Sequence, residues 1–149
     1  MNWAKDFSEL NKAIHDRISF DCGEPELNTF IKTKAASHMK AGISRTMVLP
    51  ATDLLSNQKY PICSFYSVAP GSISRCTLPE NIAKKLPHYP IPVFLLAQLA
   101  VHKKLHGKGL GKITLIESLK YLWNVNRYMH AYSVVVDCIT DSAQLLFKI

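Results

Sequence analysis

The 149-residue chain has only four cysteines, Cys22, Cys63, Cys76 and Cys138, and they stand far apart with no Cys-x-x-Cys pair. That spacing excludes a zinc knuckle and gives no disulfide frame, so the cysteines are expected to be buried thiols of a cytoplasmic protein. The histidines show neither His-Glu-x-x-His nor His-x-His spacing, and no metal site is expected. No apolar run reaches membrane-spanning length, and the charged opening MNWAKDFSEL has no signal-peptide core. Repeats, low-complexity tracts and linkers are missing too. Acidic residues are scarce: 11 Asp and Glu face 18 Lys and Arg, leaving a net charge of +7. A surplus of this size suits a polyanion such as RNA, the phosphates of a cofactor, or solubility alone. With 48% hydrophobic and 19% charged residues, the composition is that of one globular domain, residues 1–149.

What is present is concentrated between Pro92 and Arg127. The run PVFLLAQLAV is nearly continuous in apolar residues and reads as a strand buried on both faces. The basic turn HKKL follows, then the glycine loop His106-Gly107-Lys108-Gly109-Leu110-Gly111 and Lys112, then a helix whose apolar stripe is expected at Ile113, Ile116, Leu119 and Trp123. A glycine loop opening a helix offers free N–H groups and the positive end of the helix dipole, both suited to phosphate. The loop is not a nucleoside-triphosphate P-loop, since His106 replaces the first glycine and Ile113 follows Gly111-Lys112 where Ser or Thr is required. It fits the dinucleotide fingerprint poorly, being GxGxG rather than GxGxxG. A glycine-rich turn that binds nothing is the remaining structural alternative.

Around this stretch the chain reads as mixed strands and helices. Residues Asn2–Arg17 carry an early strand or short helix. A tight turn at Asp21–Gly23 leads into a helix opened by Glu24 and Pro25, with a stripe of Leu27, Phe30, Ile31, Ala35 and Met39 and a stop at Gly42. Lys32, Lys34, Lys40 and Arg45 lie off the stripe or just past the helix and form either a solvated face or a basic face for a nucleic-acid backbone. Strands are expected at Arg45–Leu49 and Tyr60–Ala69, with Pro70-Gly71 as a turn or bulge and a short helix near Leu78–Leu86. Ala131–Asp137 reads as a strand parallel to the central one. Asp141 is placed to cap a last helix holding Ala143, Leu146 and Phe147, with Gln144 completing a capping box.

Four segments together resemble the Gcn5-related N-acetyltransferase (GNAT) superfamily, and within it the toxins of bacterial toxin–antitoxin pairs. They are FDCGEPELNTFI (Phe20–Ile31), CSFYSVAPGSI (Cys63–Ile73), IPVFLLAQLAVHKKLHGKGLGK (Ile91–Lys112) and VDCITDSAQLLF (Val136–Phe147). The third matches the superfamily's pyrophosphate loop, Q/R-x-x-G-x-G/A, with His106 in place of Gln or Arg. The resemblance implies an α/β (α+β) GNAT fold, a mixed central β-sheet flanked by helices, whose usual C-terminal strands are missing from this chain. It implies acetyl-CoA as cofactor, its pantetheine arm paired with Leu99, Ala100 and Val101 and its pyrophosphate held by His106, Gly107, Lys108, Gly109, Leu110, Gly111 and Lys112. It further implies an aminoacyl-tRNA acceptor acetylated on its α-amino group, so that translation stops. The expected protein partner is a ribbon-helix-helix antitoxin, through which alone the pair would meet operator DNA. A chain stopping at Ile149 would leave a sheet edge to be covered, and a homodimer is expected.

In this chemistry the acceptor amine, with a pKa of about 7.7–8.0 before the ester lowers it, has a free-base fraction near neutral pH, so positioning and a proton donor for the leaving thiolate matter most. In the family a tyrosine supplies that proton. Here the matching position is Phe147, and the resemblance therefore implies an inactive or impaired enzyme. Gln98 stands where similar toxins often have Arg, and Thr140 where an Asn often contacts CoA. Other readings are a GNAT enzyme acting on a small-molecule or protein amine, a catalytically dead acyl-CoA-binding regulator, and a plain RNA-binding module.

Overall fold

The computed structural model describes residues 1–137 and 144–147. A sheet runs in the order β1 (Ser8–Glu9), β3 (Arg45–Pro50), β4 (Tyr60–Ile73), β5 (Ile91–Val101), β6 (Val134–Asp137), β7 (Gln144–Phe147), with β2 (His15–Asp16) beside the start of β4. The mixed segment before Arg17 resolves into two short strands, β1 (Ser8–Glu9) and β2 (His15–Asp16). The expected helix is present as α1 (Pro25–Thr29), a π turn (Phe30–Lys34) and α2 (Ala35–Lys40). It ends in a Schellman motif, in which Ile43 N–H donates to His38 O, Gly42 N–H donates to Met39 O, and Gly42 has φ +76°.

Strands β3 (Arg45–Pro50) and β4 (Tyr60–Ile73) form the expected antiparallel pair, and β4 pairs antiparallel with β5 (Ile91–Val101). Pro70 and Gly71 are not a turn. They continue β4 opposite Phe94 and Val93, and β3 has already left β4 at Val68, so proline's missing donor breaks no ladder on that side. The short helix after them is one turn, α3 (Glu80–Ala83). Helix α4 (Leu110–Asn126) then carries the chain to β6 (Val134–Asp137), which lies parallel to β5 as expected.

Phe20, Ile31, Val48, Ile62, Phe65 and Ala100 form the core beneath α1 and α2, and Tyr66, Val68, Phe94, Leu96, Leu122 and Val134 form the core beneath α4. The alternation of Phe65 and Tyr66 between these cores is the two-residue period of a strand covered on both faces.

Two expectations need correction here. The α4 stripe is offset: Ile113, Ile116 and Trp123 are exposed, and the buried residues are Leu110, Thr114, Ser118 and Leu122. Thr114 and Ser118 are small, and their hydroxyls are satisfied: Thr114 Oγ1 lies 3.0 Å from Ser64 Oγ and 2.7 Å from Leu110 O, and Ser118 Oγ donates to Leu115 O. Burial there carries no unpaired polar group, and the helix can seat close to β4. The second correction is at the C-terminal end. Gln144–Phe147 is not helical but forms strand β7, antiparallel to β6 with Phe147 opposite Val134. The outer edge of β6 presents unpaired backbone groups, and the apolar residues Leu145, Leu146 and Phe147 can satisfy them as a strand. Asp141 and Ala143, assigned to the cap and the helix, lie outside the described residues, as do Thr140 and Cys138. Among the described cysteines Cys22 and Cys63 are buried as expected, whereas Cys76 is exposed.

The Thr114–Ser64 contact gives a direct test of how α4 is seated. Thr114→Val should destabilise the fold by about 1–2 kcal/mol in urea denaturation, because the buried Ser64 hydroxyl loses its partner. Adding Ser64→Ala should recover much of that loss.

Candidate active site

The site is built on an irregularity in β5. Phe94 N–H donates to Ser133 O on the β6 side, whereas His102 N–H donates to Cys63 O on the β4 side. In a regular strand two residues an even number apart face the same neighbour. These two do not, because Ser67 pairs with Gln98 while Val68 pairs with Leu96, leaving Ala97 as an extra residue in a β-bulge. Beyond the bulge, Gln98 and Ala100 turn their backbone groups to β4. Leu99 and Val101 turn theirs to the opposite side, where the β6 ladder has already ended at Leu96. Among the described residues, no strand pairs with β5 on this side at Leu99 and Val101, and the strand leaves an open edge there, with Val101 O taken by a side chain of the following loop.

That edge leads to the glycine loop. Gly107 and Gly109 have φ of +77° and +79°, and a Cβ added at either would meet no atom within 4 Å. The backbone turns back on itself there with open space beside it. Gly109 is the N-cap of α4, and no side chain caps the helix. The first-turn N–H groups of Leu110, Gly111 and Lys112 are therefore left for a ligand, at the positive end of a 17-residue helix. The His106 ring closes the loop, with Nε2 2.8 Å from Val101 O. A carbonyl can only accept, so this nitrogen carries the hydrogen and His106 serves the loop's shape through that bond.

The turn at Asp21–Gly23 forms the other wall. Lys103 N–H donates to Asp21 O, and Lys103 Nζ lies 2.8 Å from Asp21 Oδ2. Asp21 Oδ1 accepts from Gly23 N–H and Asn28 Nδ2, and Asn28 Oδ1 accepts from Cys22 N–H. The hydrogen bond from Lys103, followed by those from Gly23 and Asn28, holds the Asp21 carboxyl well below the usual carboxylate range. This staple sets Cys22, Glu24 and Leu27 across a cleft of about 370 Å³ from Leu99, Ala100, Val101, His106, Gly107, Gly109, Leu110 and Gly111. The exposed Lys108 and Lys112 flank the loop without lining the cleft.

A second cleft, of about 580 Å³, opens on the other side of the bulge. Ala97, Gln98, Ser67 and Ala69 form its floor, and Glu26, Thr29, Phe30, Lys34 and His38 its helical wall. The π turn widens the helix where it supplies Phe30 and Lys34, as π segments often do at functional sites. Ser44 Oγ, also on this cleft, is buried with no hydrogen-bond partner. Of the basic residues singled out in the sequence, only Lys34 lines the cleft. Arg45 instead pairs with Glu9 at 3.8 Å.

No family model matches the chain. It is 27% identical over 132 residues to a tRNA-acetylating toxin of Mycobacterium tuberculosis, covering 89% of this chain and 75% of that protein. Its structure matches that of AtaT complexed with acetyl-methionyl-tRNAfMet with a TM-score of 0.81 and 21% identity, over 96% of this chain and 94% of that one. The chain has the fold of the GNAT toxins. A tyrosine-to-phenylalanine mutant of AtaT, bound to the C-terminus of the antitoxin AtaR and acetyl-CoA, matches with a TM-score of 0.73 and 19% identity, over 91% of this chain and 76% of that one.

The geometry accounts for the GNAT loop pattern that the sequence carries. Gly109 is left-handed and admits only glycine without strain, whereas a Cβ at Gly111 would make ordinary contact, 3.8 Å from Val101 Cγ2. The pattern's second glycine is accordingly replaceable by alanine and its first is not. Sequence reasoning named this loop and the end of β5, but it gave Cys22, Glu24, Leu27, Glu26, His38 and Ser44 no part in a binding site. The Phe20–Ile31 segment was the available signal, since its Asp21 and Asn28 make the bonds that shape the turn. Of the predicted site residues, Lys108 and Lys112 only flank the cleft, and Phe147 is not gathered into it: the register sets its backbone beside Val134, which pairs with Phe94, toward the end of β5 remote from the glycine loop.

Two outcomes follow. Gly109→Ala should cost about 1–2 kcal/mol of stability and Gly111→Ala should add up to about 1 kcal/mol, compared by thermal denaturation. Asp21→Asn should lower the melting temperature at pH 7, where the folded carboxylate is charged and bonded. Because folding depresses this pKa, its contribution is complete above the unfolded value of about 3.9 and fades as pH falls toward the folded one. The gap between the two proteins should therefore narrow below about pH 4.

Proposed function

We propose that this chain is an acetyl-CoA-dependent N-acetyltransferase of the toxin type that acetylates the α-amino group of an aminoacyl-tRNA and so blocks translation. The observation that carries this reading is the open edge at Leu99 and Val101 running directly into the uncapped N-terminus of α4. An extended chain bearing amides and ending in a pyrophosphate fits that edge and that helix end. Acetyl-CoA has this shape, and when bound it supplies an acetyl thioester for attack by the acceptor amine. The backbone of Leu99, Ala100 and Val101 would hold the pantetheine amides. The N–H groups of Leu110, Gly111 and Lys112 would hold the pyrophosphate, with the Lys108 and Lys112 charges beside it.

The acceptor occupies the cleft beyond Ala97. Glu26 offers a carboxylate to an ammonium group there, and Lys34 offers a cation to a phosphate. The amine needs no strong base, for the reason of its own pKa, and the cleft contributes position. Among the described residues no tyrosine hydroxyl lines either cleft. The leaving thiolate thus has no phenolic donor there, and transfer is slow.

The antitoxin of the pair is a ribbon-helix-helix protein and supplies the operator-DNA contact. The outward apolar residues Ile113, Ile116 and Trp123 of α4 support burial of that face in a homodimer or against the antitoxin. An aminoacyl-tRNA substrate places the protein in the cytoplasm.

The test is transfer from radiolabelled acetyl-CoA to a charged tRNA pool, beside a panel of small amines. Label is expected in base-labile, tRNA-linked product at a low rate. Label on small amines alone would reject the tRNA reading. Sedimentation should show a dimer, and a stable monomer at micromolar concentration would contradict the homodimer.

A further inference from the structure

Strands β4 and β5 outrun their neighbours. β3 leaves β4 at Val68, and on the other side the last bond to β5 is from Tyr132 N–H, just before β6, to Pro92 O. The paired ends Ser72–Ile73 and Ile91–Pro92 therefore reach the margin of the sheet and carry residues 74–90 past it. The tip is internally braced. Arg75 Nε donates to Ala83 O at 2.7 Å, and Arg75 Nη1 lies 3.0 Å from His88 Nδ1. Arginine has only donors, so Nδ1 of His88 accepts and its Nε2–H is left for an outside partner. Ser74 caps the 3₁₀ turn Arg75–Thr77. Pro79, Pro87 and Pro90 restrict the rest.

The brace leaves a particular surface. Lys84 and Lys85 are exposed and have no acidic partner among the described residues. Glu80 is the one carboxylate between residues 74 and 90. Tyr89 is 65% exposed beside them. Two free ammonium groups, an imidazole N–H and a bare aromatic ring on a stiff projection suit a nucleic-acid backbone with an unstacked base nearby.

Position narrows the partner. The acceptor cleft lies at Ala69, Ala97 and Gln98, between the cofactor loop at one end of β5 and this arm at the other. From Ala97 to Ile91 the strand covers roughly 20 Å. A tRNA whose aminoacyl end entered the cleft would run its short single-stranded terminus across such a distance before its paired stem began.

We infer that the β4–β5 arm is a second RNA-contact surface: Lys84 and Lys85 bind phosphates of the tRNA acceptor stem, and Tyr89 stacks on an unpaired base next to it. The inference rests on the aminoacyl-tRNA reading above. It assigns the stem to the arm, leaving Lys34 and His38 of the cleft to the terminal nucleotides.

The test uses the full chain with acetyl-CoA present and a 5′-labelled acceptor-stem hairpin ending in CCA, followed by fluorescence anisotropy between 50 and 200 mM salt. Lys84→Glu combined with Lys85→Glu should weaken binding tenfold or more and flatten the slope of log affinity against log salt by about 1.5–2, the share of two phosphate contacts. Tyr89→Ala should weaken binding with the slope unchanged. Calorimetric acetyl-CoA affinity should be the same in all three proteins, which shows the variants folded. Equal hairpin affinity and slope in the double variant would overturn the arm while leaving the aminoacyl-tRNA reading in place. No hairpin binding by the unmodified chain, with acetyl-CoA still bound, would overturn both and leave transfer to small amines.

Discussion

The proposed chemistry depends on one extra residue, Ala97. By adding a residue to β5 opposite β4, it reverses which backbone groups face which neighbour. From Phe94 to Leu96, β5 has ladders on both sides. After Ala97 the strand keeps β4, and its other edge has no strand partner among the described residues. A buried strand with unsatisfied amides would be costly, so such an edge persists only where solvent, His106 or a bound chain can complete it. The bulge also divides the surface, with the cleft proposed for the cofactor on one side and the cleft proposed for the acceptor on the other. The reacting groups would meet where the two clefts adjoin.

The helix end completes what the bulge starts. An exposed strand edge can hold amides, but phosphate needs convergent donors and a favourable field, and α4 provides both at Gly109–Lys112. The loop between the two must reverse direction without side chains in the way, which is the demand met by left-handed Gly107 and Gly109. The Asp21–Lys103 staple then fixes the opposite wall to the exit of β5, so the cleft has one rigid side and one formed by the loop. These elements support each other through short contacts in the Ile91–Asn126 stretch plus one long-range clamp.

That is also why this part was legible in the sequence. A glycine at a left-handed N-cap, an apolar strand before it and a helix after it leave a local pattern, so the loop from His106 to Lys112 could be named from the residues, and the strand end Leu99–Val101 from the family resemblance. The α4 face was misread because Thr114 and Ser118 count as polar in a periodicity argument, while in the fold their hydroxyls are paired with Ser64, Leu110 and Leu115. The larger cleft was hidden because its walls come from α1, the π turn, α2, the turn before β3, β4 and the bulge, and a π turn leaves no composition mark. Pro70-Gly71 reads as a turn to any local rule; only the early departure of β3 makes it tolerable in a strand. Gln144–Phe147 illustrates a further limit. A capping pattern favours a helix there, but a neighbouring open edge at β6 offers the same backbone groups more partners, and the edge is not visible from the segment itself.

The central claim is that the open edge and the uncapped helix bind the two halves of one cofactor. Calorimetric titration of the folded chain with acetyl-CoA, and separately with acetyl-pantetheine, tests it most directly. The account predicts micromolar binding of acetyl-CoA and binding of acetyl-pantetheine weaker by a hundredfold or more, since the latter lacks the pyrophosphate that α4 receives. Equal affinity for the two would deny the helix end its role, and no binding of either by the folded chain would contradict the account as a whole.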